Sequence, residues 1–329
     1  MFSFAWTLFF CVVLTAGASE AVVLHVRPSA RVVLGVAADP FAVPFYCTLY
    51  SEYDDDSGTS VCGCVLLEND RALTAAHCVT KFDGRFLRRA SAMFVRLYGD
   101  MRTPDGELLR LAVGSTRVSP GYRYHDLHDD VAVFTVPNTA VVAGLTGGVR
   151  VNEDRGRWDA LTSWDKLQVV GVGLDRYDAL SLGAPRVADL SRRSCTNPVG
   201  FGNLLPWTEE VFHDDICAGP FSPCDADYRC ADSCKGDSGG PLYATLKNGT
   251  VVVYGIVSRG STTCGVAGEF DGRPGIYAAT DRHVDFVRDE SATYLGQTVS
   301  SDATKTRPEN IFFRFILGCC VILLLSLSR

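Results

Sequence analysis

Basic charge is scarce: 31 Lys and Arg stand against 38 Asp and Glu, for a net charge of −7. Such a balance offers no basic face to a phosphate backbone, which excludes nucleic-acid binding as the main role. Histidines number 6 and fall at no ligand spacing, so the sequence announces no transition-metal site and no cofactor. No long stretch before the C-terminal end has helical periodicity, which argues against a helical class. General disorder is excluded too, because 47% hydrophobic content in 329 residues suffices for one large or two medium cores.

The chain is instead rich in cysteine and glycine. Thirteen cysteines are too many for an ordinary cytosolic enzyme and indicate an oxidising compartment. Thirty-one glycines suit a turn-rich β protein. Short alternating apolar segments at residues 45–49, 61–67, 93–98 and 131–136 read as strands. Near the end, residues 281–295 read as a helix with Val284, Phe286, Val287 and Leu295 on its apolar face.

The chemistry centres on residues 232–241, DSCKGDSGGP. A serine becomes a nucleophile where the backbone is tight enough to aim its hydroxyl and to turn amide N–H groups at the oxyanion it creates; glycines on both sides of Ser238 permit that turn. TAAHC at residues 74–78 adds a histidine beside a cysteine. HDDVAVF at residues 128–134 adds an aspartate opening an alternating apolar run.

In this order the three motifs resemble the trypsin/chymotrypsin-like serine peptidases, of the trypsin-like branch, over residues 32–295. The resemblance implies an all-β fold of two antiparallel β-barrels packed face to face and closed by the C-terminal helix, with residues 150–164 crossing between them. It implies His77 as general base, Asp130 as the buried carboxylate orienting it and Ser238 as nucleophile, with the amides of Gly236 and Ser238 holding the oxyanion. Asp130 is preferred to the adjacent Asp129 because the family's aspartate immediately precedes the apolar strand, which here begins at Val131. Asp232 falls at the base of the primary pocket, with Gly260 and Gly275 leaving its walls open and Ser233 adding a polar contact, so substrates carry Arg or Lys before the cleaved bond. Ser258 and Arg259 line the substrate. Arg259 stands where the family has tryptophan, and its charge near the entrance is expected to disfavour basic residues further upstream, as does Lys235 at the rim.

The resemblance also implies a precursor cut between Arg31 and Val32, after which the new α-amine pairs with Asp237 and orders the oxyanion loop. Leu34 occupies a position where the family has glycine. Cys62 is expected to bridge to Cys78, Cys195 to Cys217, and Cys234 to Cys264. Leftover parity then pairs Cys47 with Cys64 and Cys224 with Cys230.

Outside this region, residues 1–18 read as a signal peptide and 19–31 as a pro-segment. Residues 296–310 form a polar linker, and 311–328 an apolar run interrupted by Arg314. Two anchors fit that run: a membrane span, or a lipid-anchor signal with attachment at Ser300, Ser301 or Asp302, the second being favoured. Asn248 opens the one glycosylation sequon. Residues 51–59 are an acidic, solvated loop; residues 81–89 are a basic insertion expected to overhang the cleft; Asp100, Asp105 and Glu107 are weak evidence for calcium. The reading is a secreted or surface-anchored serine endopeptidase with protein substrates, protein inhibitors, and either an activating protease or itself as activator. Its rival is an inactive relative serving as an extracellular binding module.

Overall fold

The computed structural model describes residues 32–288 apart from 40–41, 53–58, 69, 82–87, 89–91, 98–108, 138–148, 174–184, 196–210, 222–223, 225–229, 261–263 and 266–273. The signal, pro-segment, linker and anchor expectations therefore lie outside the described residues, as do Arg31, the acids at 100, 105 and 107 and most of the 81–89 insertion. No helix among the described residues is long and apolar enough to cross a membrane.

Fifteen strands carry the fold among the described residues. They are β1 (Val36–Ala37), β2 (Tyr46–Glu52), β3 (Thr59–Leu67), β4 (Arg71–Thr74), β5 (Met93–Leu97), β6 (Arg110–Ala112), β7 (Thr116–Val118), β8 (Ala132–Thr135), β9 (Val149–Val151), β10 (Leu167–Gly171), β11 (Arg186–Arg193), β12 (Asp215–Pro220), β13 (Pro241–Thr245), β14 (Val251–Arg259) and β15 (Gly275–Ala279). The helices are short: α1 (Ala76–Val79), α2 (Arg155–Ala160) and α3 (Val284–Arg288).

The all-β expectation holds, with a difference between the halves. In the C-terminal half the path β11-β10-β13-β14-β15-β12 closes through β11–β12 pairing into a six-stranded barrel, with β1 on its edge at β11. Its ladders are antiparallel except for β9, which joins β14 in parallel. The N-terminal sheet, ordered β6-β5-β2-β3-β4-β8-β7, curls without pairing its two end strands among the described residues. Helix α3 lies within the expected C-terminal helix, of which residues 289–295 fall outside the described residues, and buries Phe286 and Val287.

Periodicity explains the strands. In β5 burial alternates along MFVRL, as it does where one face meets a core and the other meets water. In β2 and β14 nearly every residue is buried, because these strands are covered on both faces. One core cluster runs from Phe45 and Leu66 of the first half to Tyr243, Val253 and Ile256 of the second, so the halves share an apolar seam. Phe45 meets Tyr243 edge-on across it at 5.1 Å, a favoured aromatic geometry. Backbone also meets backbone there: a Cβ on Gly63 would fall 2.7 Å from Gly240, so only glycine lets β3 reach the serine loop.

Candidate active site

Three segments converge at the seam. Strand β4 ends at Thr74 and the chain turns at once into α1, which presents His77. The Thr74 hydroxyl donates to Gly63 O at 2.8 Å and ties this turn to β3. A disulfide from Cys62 in β3 to Cys78 pins the helix on its other side. His77 is thus held by covalent and hydrogen-bonded supports on rigid elements.

The second segment is the turn before β8. Leu127 and Asp129 adopt left-handed φ values of 54° and 50°, which turn the chain sharply and send the two adjacent acids to different partners. Asp130, wholly buried, accepts from the His77 amide at 2.9 Å and meets His77 Nδ1 at 2.8 Å. The Ser258 hydroxyl donates to the same carboxylate at 2.7 Å. Asp129 instead faces His128 and His283. Burial alone pushes the Asp130 carboxyl up, but the His77 charge and three hydrogen bonds outweigh it and hold it below the usual carboxylate range. Burial likewise pushes His77 down, and the Asp130 charge and hydrogen bond override that, so the imidazole lies above its ordinary value of 6.5.

The third segment is the serine loop. Gly236 has φ of 96° and Gly239 of 81°, conformations that a side chain resists; a Cβ on Gly239 would also fall 2.2 Å from Thr74 Oγ1. Ser238 O accepts from the Gly63 amide at 2.7 Å, which leaves the hydroxyl half-exposed. Among the described residues the amides of Gly236 and Ser238 have no internal acceptor, so both N–H groups remain available to an incoming oxygen. Ser238 and His77 line one cleft of about 460 Å³ together with Arg88, Tyr124 and Leu127. The Ser238 hydroxyl makes no hydrogen bond to His77 here; in ligand-free sites that contact is commonly loose and tightens with substrate.

Behind the loop, Asp232 is buried and accepts from the Gly265 amide at 3.1 Å. Gly260 and Gly275 face one another: a Cβ on Gly260 would lie 3.6 Å from Gly275 Cα. Ser233 Oγ meets Tyr277 Oη at 3.3 Å, and Tyr277 is raised by burial and then by the Asp232 charge. Asp237 is wholly buried, with amide donors from Gly173 at 2.7 Å and Cys234 at 2.8 Å and no cationic partner among the described residues. Burial pushes its carboxyl up to about 7 against those two hydrogen bonds. Val32 is wholly buried, and Val33 pairs with Asp232 through backbone hydrogen bonds of 3.0 and 3.4 Å.

One sequence expectation changes. Arg259 does not project charge into the entrance: its side chain is 8% exposed and pairs with Asp215 through both terminal nitrogens, against the Phe212 ring. A guanidinium leaving water takes the nearest buried carboxylate, and β12–β15–β14 pairing brings Asp215 within reach. Ser258, also expected to line the substrate, is 4% exposed and directs its hydroxyl to Asp130. Tyr277 and Tyr124 were missed. Tyr277, two residues beyond Gly275 on β15 and so on the same face, carried a usable signal; Tyr124 sits in a turn with no periodicity to read.

Five disulfides form: Cys47–Cys64, Cys62–Cys78, Cys195–Cys217, Cys224–Cys230 and Cys234–Cys264. Cys47 and Cys64 are register partners in the β2–β3 hairpin. Cys234–Cys264 joins the serine loop to the segment whose Gly265 amide binds Asp232. Asn248 lies in the exposed hairpin turn between β13 and β14, with Gly249 at φ of 82°.

The family model described as Trypsin matches residues 32–287. Relatives include the venom peptide isomerase heavy chain of Agelenopsis aperta, 26% identical over 69% of this chain and 86% of that protein. CLIP domain-containing serine protease B8 of Anopheles gambiae is 25% identical over 77% of this chain, and phenoloxidase-activating factor 1 of Holotrichia diomphalia is 29% identical over 69%. The chain spans only 64% and 60% of the length of those two proteins. With its two-part β fold and a match covering residues 32–287, the chain belongs to the trypsin family of serine proteases.

Proposed function

We propose that the chain is a serine endopeptidase that cleaves after Arg or Lys and is made as a precursor activated at Arg31–Val32. One juxtaposition carries the reading: His77, tied through Nδ1 to a buried Asp130, shares a cleft with Ser238, and the segment leading to Ser238 carries a buried Asp232. Ser238 Oγ attacks the scissile carbonyl while His77 Nε2 takes its proton, and the Gly236 and Ser238 amides donate to the oxyanion. His77 then returns the proton to the leaving amine. Water repeats the sequence on the acyl-enzyme and regenerates the serine. Five disulfides support an extracellular or secretory setting for this work.

Specificity follows from the cost of a desolvated carboxylate. Asp232 is buried with little hydration to lose, and a substrate guanidinium or ammonium between Gly260 and Gly275 compensates it. In a peptide series with Arg, Lys, Phe or Ala at the cleaved position, kcat/KM for Arg and Lys is expected to exceed that for Phe by roughly 10³-fold or more, because only a cationic side chain gains a charge-assisted contact with Asp232. A preference for Phe refutes the role of Asp232. Because Arg259 is engaged by Asp215, exchanging Glu for Lys two or three residues upstream should alter kcat/KM less than about threefold.

The pH profile tests the base. With His77 held above 6.5 by Asp130, kcat/KM of the activated enzyme is lost on the acid side with a midpoint above 6.5, since only the neutral imidazole accepts the serine proton. A midpoint near 5 is incompatible with the pairing.

A further inference from the structure

The six histidines have no ligand spacing along the chain, yet three of them meet on the far side of the catalytic aspartate. His128, His213 and His283 surround Asp129 and Asp214 there. His128 Nε2 lies 3.5 Å from Asp214 Oδ2, and His283 Nε2 lies 3.7 Å from Asp129 Oδ1. Ligand atoms of Asp129, Asp214 and His283 fall within 4.8 Å of one another, as do those of His128, His213 and Asp214.

We infer that this cluster binds one divalent transition-metal cation of the zinc class, held by Asp129, Asp214 and His283 Nε2, with water completing its shell. Three observations carry this. First, one ligand atom from each of these three residues lies within 4.8 Å of the others, and the 3.7 Å from His283 Nε2 to Asp129 Oδ1 is close to the about 3.4 Å that separates ligands about 2.1 Å from zinc in a tetrahedron. Second, His283 is 5% exposed and its Nε2 has no hydrogen-bond partner, a costly state for a buried polar atom unless something occupies the space in front of it. Third, His128 Nδ1 meets Gly121 O at 3.2 Å, and the Phe212 ring meets the imidazole edge-on at 4.6 Å. His128 thereby stands fixed beside both carboxylates as a supporting group, 3.6 Å from Asp129 Oδ2 through Nδ1 and 3.5 Å from Asp214 Oδ2 through Nε2. Gly121 makes room: a Cβ there would fall 1.7 Å from Asp129 Oδ2. The exposed His213, 3.0 Å from Asp214 Oδ1, covers the solvent side.

The consequence is positional. Asp129 adjoins Asp130, and Asp214 adjoins Asp215, which holds Arg259. One cation therefore ties the turn before β8, the start of β12 and the turn after β15 together behind the active site.

The test is calorimetric titration of the EDTA-stripped full chain with zinc chloride, with calcium and magnesium chloride in parallel. One zinc per chain is expected, with an accompanying rise in the thermal midpoint. His283→Gln and Asp129→Asn should each weaken binding at least tenfold, whereas His77→Ala, which removes the histidine of the catalytic cleft, should leave it unchanged. Zinc-edge anomalous scattering from wild-type crystals should show a peak between Asp214 and His283, independently of how the variants fold. Absence of one-to-one zinc binding, preference for calcium or magnesium, binding lost in His77→Ala but kept in His283→Gln, or a peak elsewhere overturns the inference.

Discussion

Ser238→Ala is expected to lower kcat by about 10⁵-fold while leaving the thermal midpoint essentially unchanged. The large effect follows from the proposed role of Ser238: of the hydroxyls lining the cleft, which include those of Ser60, Thr80 and Tyr124, only that of Ser238 stands on the serine loop, and alanine removes only that oxygen. The small effect on stability follows from the same geometry. Ser238 is half-exposed and holds the fold through its carbonyl, which accepts from Gly63, so its loss as a side chain leaves no buried partner unsatisfied. Residual turnover reports the amides and substrate binding alone. Steady-state kinetics on an arginyl amide, with fluorophosphonate labelling of both proteins, measures this directly. Activity within tenfold of wild type sinks the assignment of Ser238, and a wild-type chain that resists the label after activation supports the inactive binding module instead.

Arg31→Gln is expected to keep the chain at least 10³-fold less active after treatment with a trypsin-like activator, whereas the cut wild type begins at Val32 and turns over substrate. Two features of the uncut chain motivate this. Val32 is a β-branched residue at φ of 46°, a conformation opposed by the carbonyl that precedes it. Cutting Arg31–Val32 removes that carbonyl and its clash. The Asp237 carboxyl, meanwhile, is buried with two amide donors and no cation, and is pushed up to about 7 from an ordinary 3.8. Between those values the folded state binds the proton and the unfolded state does not, so this group makes stability fall as pH rises from about 4 to 7, by an amount on the order of 4 kcal/mol. A new ammonium at Val32 supplies the missing partner and removes that loss. Urea unfolding at pH 4.5 and 8 should show the uncut chain losing stability that uncut Asp237→Asn retains, with the cut wild type resembling the variant. An active enzyme starting at any residue other than Val32, or identical pH slopes for uncut wild type and Asp237→Asn, contradicts this account.

Much of the molecule was legible along the chain, because strands and sharp turns leave local marks. The alternation at residues 93–98 and the buried run at 131–136 gave β5 and β8 nearly to the residue, since one residue's facing determines its neighbour's. The glycines of the serine loop marked a backbone that other residues resist, and φ of 96° at Gly236 is the physical content of that mark. Arg259 was read differently from how it sits because its partner is 44 residues away, across two strand pairings whose register no local pattern specifies.

By itself the sequence determined the all-β class, the oxidising setting implied by its cysteines and the segments that carry the chemistry, because each depends on composition or on short-range periodicity. Only the tertiary structure decided that Asp130 meets His77 while Asp129 turns to His283, that Ser258 steadies the buried aspartate 128 residues before it, and that Arg259 is neutralised by Asp215. Only it gathered three scattered histidines around Asp214. The reason is common to all four: a buried polar group must find a partner when water is withdrawn, and which partner lies within reach depends on how distant strands and turns pack, not on the residues beside it in the chain.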